Sequence, residues 1–87
     1  MKVVKQVILR TIAGESVLVP VGETVSEYNG LFLLTESGKL LWEAIQNGKE
    51  KEELADLLVE EYEIDKTDAL QDASEFVDKL IEFGIVE

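Results

Sequence analysis

The sequence predicts an α+β fold in which a three-stranded antiparallel sheet precedes three helices, in the order β-β-β-α-α-α. Two observations carry this. The first third of the chain is dominated by β-branched and aliphatic residues broken by short turn signals, whereas from Leu40 onward the apolar residues recur at helical spacing. Between the halves, Leu31, Phe32, Leu33 and Leu34 form a wholly apolar strand that turns into a helix through Thr35, Glu36, Ser37 and Gly38. Three short strands cannot bury their faces alone, so the helices must pack on one side of the sheet.

Residues 3–13 read as the first strand, with Val7, Ile8, Leu9 and Ile12 interrupted by Arg10 and Thr11. Gly14 and Glu15 supply a turn signal, and residues 16–21 read as its hairpin partner. That partner alternates, with Val17, Val19 and Val21 on one side and Ser16, Leu18 and Pro20 on the other. Pro20 lacks an N–H and belongs at the end of a strand or on an unpaired side. Residues 22–28 are polar and read as a loop; Asn29 and Gly30 then signal entry into the third strand.

Thr35 is placed to cap the first helix, because its hydroxyl can accept from a free N–H of the first turn. Glu36 adds negative charge at the positive end of the helix dipole. Leu40, Leu41, Ala44 and Ile45 share one face, and Asn47 and Gly48 end the helix. A second helix runs from about residue 50 to 62, with Leu54, Leu58 and Tyr62 as its buried stripe. A third helix begins around Asp65 and Asp68 and stops at Gly84; Ile85 and Val86 form an apolar tail folded back onto the core. The helical half is helix-turn-helix-like.

With 87 residues the chain has room for one domain, residues 1–87. It contains no cysteine and no histidine. That excludes thiol nucleophiles, Cys/His zinc sites, iron–sulfur clusters and histidine acid–base chemistry, and no metal or other cofactor is expected. Apolar runs reach only four residues, too short for a membrane span, and the residues after Met1 lack a secretory core. A cytoplasmic location follows as the expectation. The net charge of −11 is uneven: residues 1–22 carry three bases against one acid, and the remainder five bases against eighteen acids. Such a surface repels phosphate backbones and attracts basic partners. For any one acid, the plain alternative is a solvated helix face.

The third helix carries more apolar surface than a core needs. Ala69, Leu70, Ala73, Phe76, Val77, Leu80, Ile81 and Phe83 span an arc of roughly 160°, whereas about 100° is enough to face a core. Leu70, Val77 and Ile81 form one edge of this arc; Phe76 and Phe83 form the other. The excess either packs under the C-terminal tail or lines a groove beside the third strand. An open strand edge invites pairing, and proteins that leave one uncovered use it to capture an extended peptide as an added strand.

The order Asn29-Gly30-Leu31 and the apolar strand, Thr35-Glu36-Ser37-Gly38, Trp42, Asn47-Gly48-Lys49, Glu61-Tyr62 before Asp65, then Phe76-Val77, Leu80 and Gly84-Ile85-Val86 resembles the PqqD-type family. These are the small peptide chaperones of pyrroloquinoline quinone biosynthesis and related precursor-peptide recognition elements. The resemblance covers roughly residues 8–87. It implies a winged helix-turn-helix-like fold that binds the leader region of a ribosomally synthesised precursor peptide and presents it to a modifying enzyme, often a radical S-adenosylmethionine enzyme. Carried over by position, it implies peptide-binding residues Leu31, Phe32, Leu33 and Leu34 on the strand, and Leu70, Ser74, Val77, Asp78 and Ile81 on the third helix. Glu50, Lys51 and Glu52 at the start of the second helix depart from a Ser or Thr cap often found there in the family it resembles, and this departure implies a loosened first turn.

Three rival readings are weaker. DNA binding suits the helix-turn-helix shape, but the third helix would carry Lys66 and Lys79 against Asp68, Asp72, Glu75, Asp78 and Glu82 into a groove lined by phosphates. An acyl or peptidyl carrier would need its attachment serine in an Asp-Ser-Leu context within an all-helical bundle, whereas Ser37 follows an apolar strand. Catalysis would rest on lysines and carboxylates alone, and the adjacent pairs Glu52-Glu53 and Glu60-Glu61 point to different helix faces. Trp42 and Tyr62 read as core aromatics.

Overall fold

The computed structural model describes residues 1–22 and 32–87. Its elements are β1 (Val7–Ile12), β2 (Glu15–Pro20), β3 (Phe32–Leu34), α1 (Glu36–Gln46), α2 (Lys51–Tyr62) and α3 (Lys66–Glu82). The sheet is antiparallel in the order β1-β2-β3, and the helices follow it in sequence, as a winged helix-turn-helix-like α+β fold requires. The loop expected over residues 22–28, the Asn29-Gly30 turn signal and Leu31 lie largely or wholly outside the described residues.

The hairpin closes one residue earlier than the turn signal implied. Ile12 pairs with Glu15, leaving Ala13 and Gly14 as a two-residue loop with φ of 52° and 82°. Two left-handed residues in a row match the twist of the flanking strands. Ala13 is strained there, since a Cβ disfavours left-handed backbone. We expect Ala13→Asn to stabilise the fold by about 0.5–1 kcal/mol, read as a raised midpoint in chemical denaturation.

Register decides which side faces the helices. Leu9, Leu18 and Phe32 are cross-strand neighbours and share one face, and with Val7 and Leu34 they pack into the main core. Val17, opposite Leu33, lies on the other face. The core is completed by Leu41, Trp42, Ala44 and Ile45 of α1, Leu54, Ala55 and Leu58 of α2, and Ala69, Ala73, Val77 and Leu80 of α3. Trp42 is fully buried, and its indole N–H has no partner among the described residues. The C-terminal tail folds onto this core: Ile85 and Val86 are buried, and Val3 bridges to Val86 in antiparallel fashion.

Local chemistry sets the helix ends. The Thr35 hydroxyl accepts from the Gly38 N–H at 3.1 Å, the cap foreseen for α1. The start of α2 is not loose, contrary to expectation. The Glu53 carboxylate reaches back to accept from the Glu50 N–H at 3.1 Å, and Glu50 itself receives the N-terminal ammonium of Met1 at 2.6 Å. Glutamate at the third helical position does part of the work a Ser or Thr would have done. Tyr62 also departs from expectation. It is 44% exposed at the end of α2 rather than buried in its stripe.

Candidate functional site

Both edges of the α3 stripe emerge beyond the core, and the two have different surroundings. The central residues Ala69, Ala73, Val77 and Leu80 are buried. On one edge, Phe76 and Phe83 meet β3 through Phe32. The ring centroids are 6.3 Å apart for Phe32 and Phe76 and 4.9 Å apart for Phe32 and Phe83, both edge-to-face. Each such pair contributes about 0.5–1.5 kcal/mol beyond its burial, so this aromatic cluster ties α3 to the strand. On the other edge, Ser74 and Asp78 face α2. The Lys51 ammonium donates to the Ser74 hydroxyl at 3.4 Å and lies 4.0 Å from the Asp78 carboxylate.

A cleft runs along the aromatic edge. Its outer chamber, about 220 Å³, is lined by Phe32, Leu33 and Leu34 of β3 and by Gly38, Phe76 and Lys79. Its inner chamber, about 370 Å³, continues past Thr35 and Gly38 to Leu41, Leu58, Tyr62 and Ile64. Thr35, Gly38, Phe76 and Lys79 line both chambers and make one continuous groove. Gly38 sits at the neck between them. A Cβ there would meet the Thr35 hydroxyl at 3.3 Å and a Leu34 methyl and the Phe76 ring at 3.4 Å, so a larger side chain would press on the groove's own lining. Among the described strands, β3 is bonded to β2 alone, which leaves its outer edge beside the groove.

The residues expected to bind peptide are therefore divided. Phe32, Leu33 and Leu34 line the outer chamber, with Leu33 61% exposed and Leu34 buried. Leu31 lies outside the described residues. The α3 residues expected beside β3 divide between the core and the edge away from this groove. Val77 is 2% exposed and belongs to the core. Ser74 and Asp78 face Lys51, and Leu70 and Ile81 lie with them on the edge away from the groove, both exposed. The groove wall is made by Phe76 and Lys79 instead, with Tyr62 at its inner end. A signal for this was present in the sequence: Phe76, Lys79 and Phe83 at spacings of three and four form a single stripe on a helix, and Phe32 supplies the aromatic partner across from it.

The groove's chemistry is apolar with a few charges at its rim. Asp72, Glu75 and Lys79 line the inner chamber, and among the described residues Lys79 is the only charged one lining the outer chamber. Among the described residues, no cluster of three or more carboxylates is placed to hold a metal ion. No helix of the described residues is long and apolar enough to cross a membrane.

Fold and groove together define a class: an acidic winged helix-turn-helix-like domain with an apolar cleft between an edge strand and its last helix. Residues 8–86 match the PqqD family, coenzyme PQQ synthesis protein D, and the chain belongs to that family. Two solved structures share the fold. TbiB1 in complex with the TbiA(beta) leader peptide is 26% identical, with a TM-score of 0.80 over 100% of this chain and 95% of that one. Lasso peptide synthetase B1 complexed with the leader peptide is 22% identical, with a TM-score of 0.78 over 99% of this chain and 95% of the other, a likeness of fold. None of the curated proteins matches the sequence.

Proposed function

We propose that this protein is a non-catalytic peptide chaperone that binds the leader region of a ribosomally synthesised precursor by strand addition at β3 and presents it to a modifying enzyme. The observation that carries this reading is the groove between the outer edge of β3 and the Phe76–Phe83 edge of α3, in a chain of the PqqD family. An extended peptide beside β3 gains main-chain hydrogen bonds along the strand, and every second side chain points into the groove. Phe32, Phe76 and Leu34 receive apolar side chains in the outer chamber; Leu41, Leu58 and Ile64 receive one in the inner chamber. The relative TbiB1, solved with a leader peptide bound, supports the same class of ligand.

The chain works as one unit of residues 1–87, in the cytoplasm where precursor peptides are synthesised. Without histidine or cysteine it contributes positioning rather than chemistry, and the modifying enzyme, in this family often a radical S-adenosylmethionine enzyme, supplies the reaction. The test is a two-dimensional amide NMR titration with leader peptides from precursors encoded beside its gene. Shifts clustered on Phe32, Leu33, Leu34, Phe76, Lys79 and Phe83 are the expected result. Shifts confined to Lys51, Ser74, Asp78 and Ile81 would move the site to the opposite edge of α3. A folded sample that responds to none of the leaders would refute leader binding by this chain.

A further inference from the structure

Resting on the leader-binding reading, the distribution of paired and unpaired lysines adds a statement about which leaders fit. Residues 32–87 hold five lysines. Three are engaged: Lys49 with Glu53 at 3.4 Å, Lys51 with Asp78 at 4.0 Å, and Lys66 with Asp56. Lys39 and Lys79 make no ion pair among the described residues. Lys2 and Arg10 likewise make no ion pair among the described residues, so it is position that sets Lys39 and Lys79 apart. Lys39 and Lys79 lie next to β3. Lys79 lines the groove on the α3 side, and Lys39 lines a broad depression of about 640 Å³ shared with Leu33 and Leu34.

Lys79 is the better placed of the two. Its neighbours one turn away are Phe76 and Phe83, so the ammonium sits at the rim of an apolar wall. Glu75, the acid four residues earlier and the natural helical partner, is held by the Gln71 side-chain amide at 3.3 Å. The groove is also polarised along its length. Among the described residues, Lys79 alone is charged in the outer chamber, while Asp72 and Glu75 join it in the inner one. Lys79 is exposed, and a carboxylate set beside it over the apolar wall would gain a charge-assisted hydrogen bond.

We propose that Lys79 recognises an acidic side chain of the leader, flanked by apolar residues, and that this pair sets the register of the captured strand. The acid lies over the outer chamber at β3, and the stretch reaching Asp72 and Glu75 carries no acid. An otherwise acidic surface then rejects acidic peptides except in this one alignment, which is how electrostatic complementarity gives specificity.

The experiment is a double-mutant cycle by fluorescence anisotropy. Tiled peptides of the leaders encoded beside the gene are titrated against wild type and Lys79→Met, which keeps the apolar stem and removes the charge. In the tile that binds wild type, each Asp or Glu is changed in turn to Asn or Gln. The expected result is a single acidic position whose neutralisation weakens binding to wild type by about fivefold to tenfold and has no further effect on Lys79→Met. Lys79→Glu should lose binding to that tile and regain it with the peptide acid changed to Lys. If Lys79→Met binds the tile as wild type does, or if several acids matter equally in both proteins, the Lys79 assignment is wrong while strand capture stands. If no tile binds wild type, the leader-binding reading itself falls, and this assignment with it.

Discussion

Val77→Asp should abolish the native fold, whereas Ile81→Asp should leave it intact. The two residues are one helical turn apart on α3, both apolar, and equal candidates by sequence pattern. Val77 is 2% exposed and enclosed by the main core, so an aspartate there forfeits its packing and buries a carboxylate with no partner. Such a change costs about 4 kcal/mol or more, comparable to the whole stability of a domain of this size. Ile81 is 49% exposed, and its replacement costs about 1 kcal/mol or less, part of it repulsion from Asp78 one turn earlier. Trp42 provides the readout: it is the only tryptophan in the sequence and is fully buried, so its fluorescence reports loss of the core. A cooperative denaturation curve near wild type for Val77→Asp would show that this part of α3 is not core after all.

Phe76→Ala should retain the fold and lose most of the peptide affinity. Phe76 is half-buried, lines both chambers of the groove and meets Phe32 edge to face. Truncation removes the wall against which an added strand would rest. An aromatic anchor of this kind contributes about 2 kcal/mol or more to binding, so the dissociation constant should rise about thirtyfold. The contacts α3 makes through Ala73, Val77 and Leu80 remain, and the stability loss should stay near 2 kcal/mol. Leu70→Ala, on the far edge, is the matched control and should leave affinity unchanged. Equal losses for Phe76→Ala and Leu70→Ala would contradict the assignment of the groove to the aromatic edge. Titration calorimetry with a leader peptide separates the outcomes, and circular dichroism confirms that each variant is folded.

The legible parts of this protein were those governed by local periodicity. Each of the six elements was readable because its signal lies within one strand or one helical turn of its own residues. The β-branched run gives β1 and β2, the apolar LFLL segment gives β3, and the helical spacing from Leu40 onward gives the rest. Thr35 and Gly48 marked the ends of α1 for the same reason. Where the reading slipped, it did so at contacts the local pattern does not contain. The hairpin loop moved to Ala13 and Gly14 because register is fixed by the pairing of two strands rather than by the turn residues alone. The first turn of α2 was secured by Glu53 reaching back to Glu50, a cap that replaces the missing Ser or Thr.

The sequence by itself also determined the chemistry excluded here, through the absence of cysteine and histidine, and the surplus of apolar surface on α3. A helix with apolar residues around roughly 160° must leave some of them outside a single core. Which ones were left out was decided only in three dimensions. The sheet meets α3 from the side of Phe76 and Phe83, because Phe32 points to the helix-facing side of β3 in register with Leu18 and Leu9. Lys51 of α2 occupies the opposite edge through Ser74 and Asp78. Periodicity places residues on a face, but it contains no term for the neighbour that face will meet. Thus the apolar strand Phe32, Leu33 and Leu34 was legible, while the choice of Phe76 and Lys79 over Leu70 and Ile81 as the wall facing it came from the packing of the sheet against the last helix.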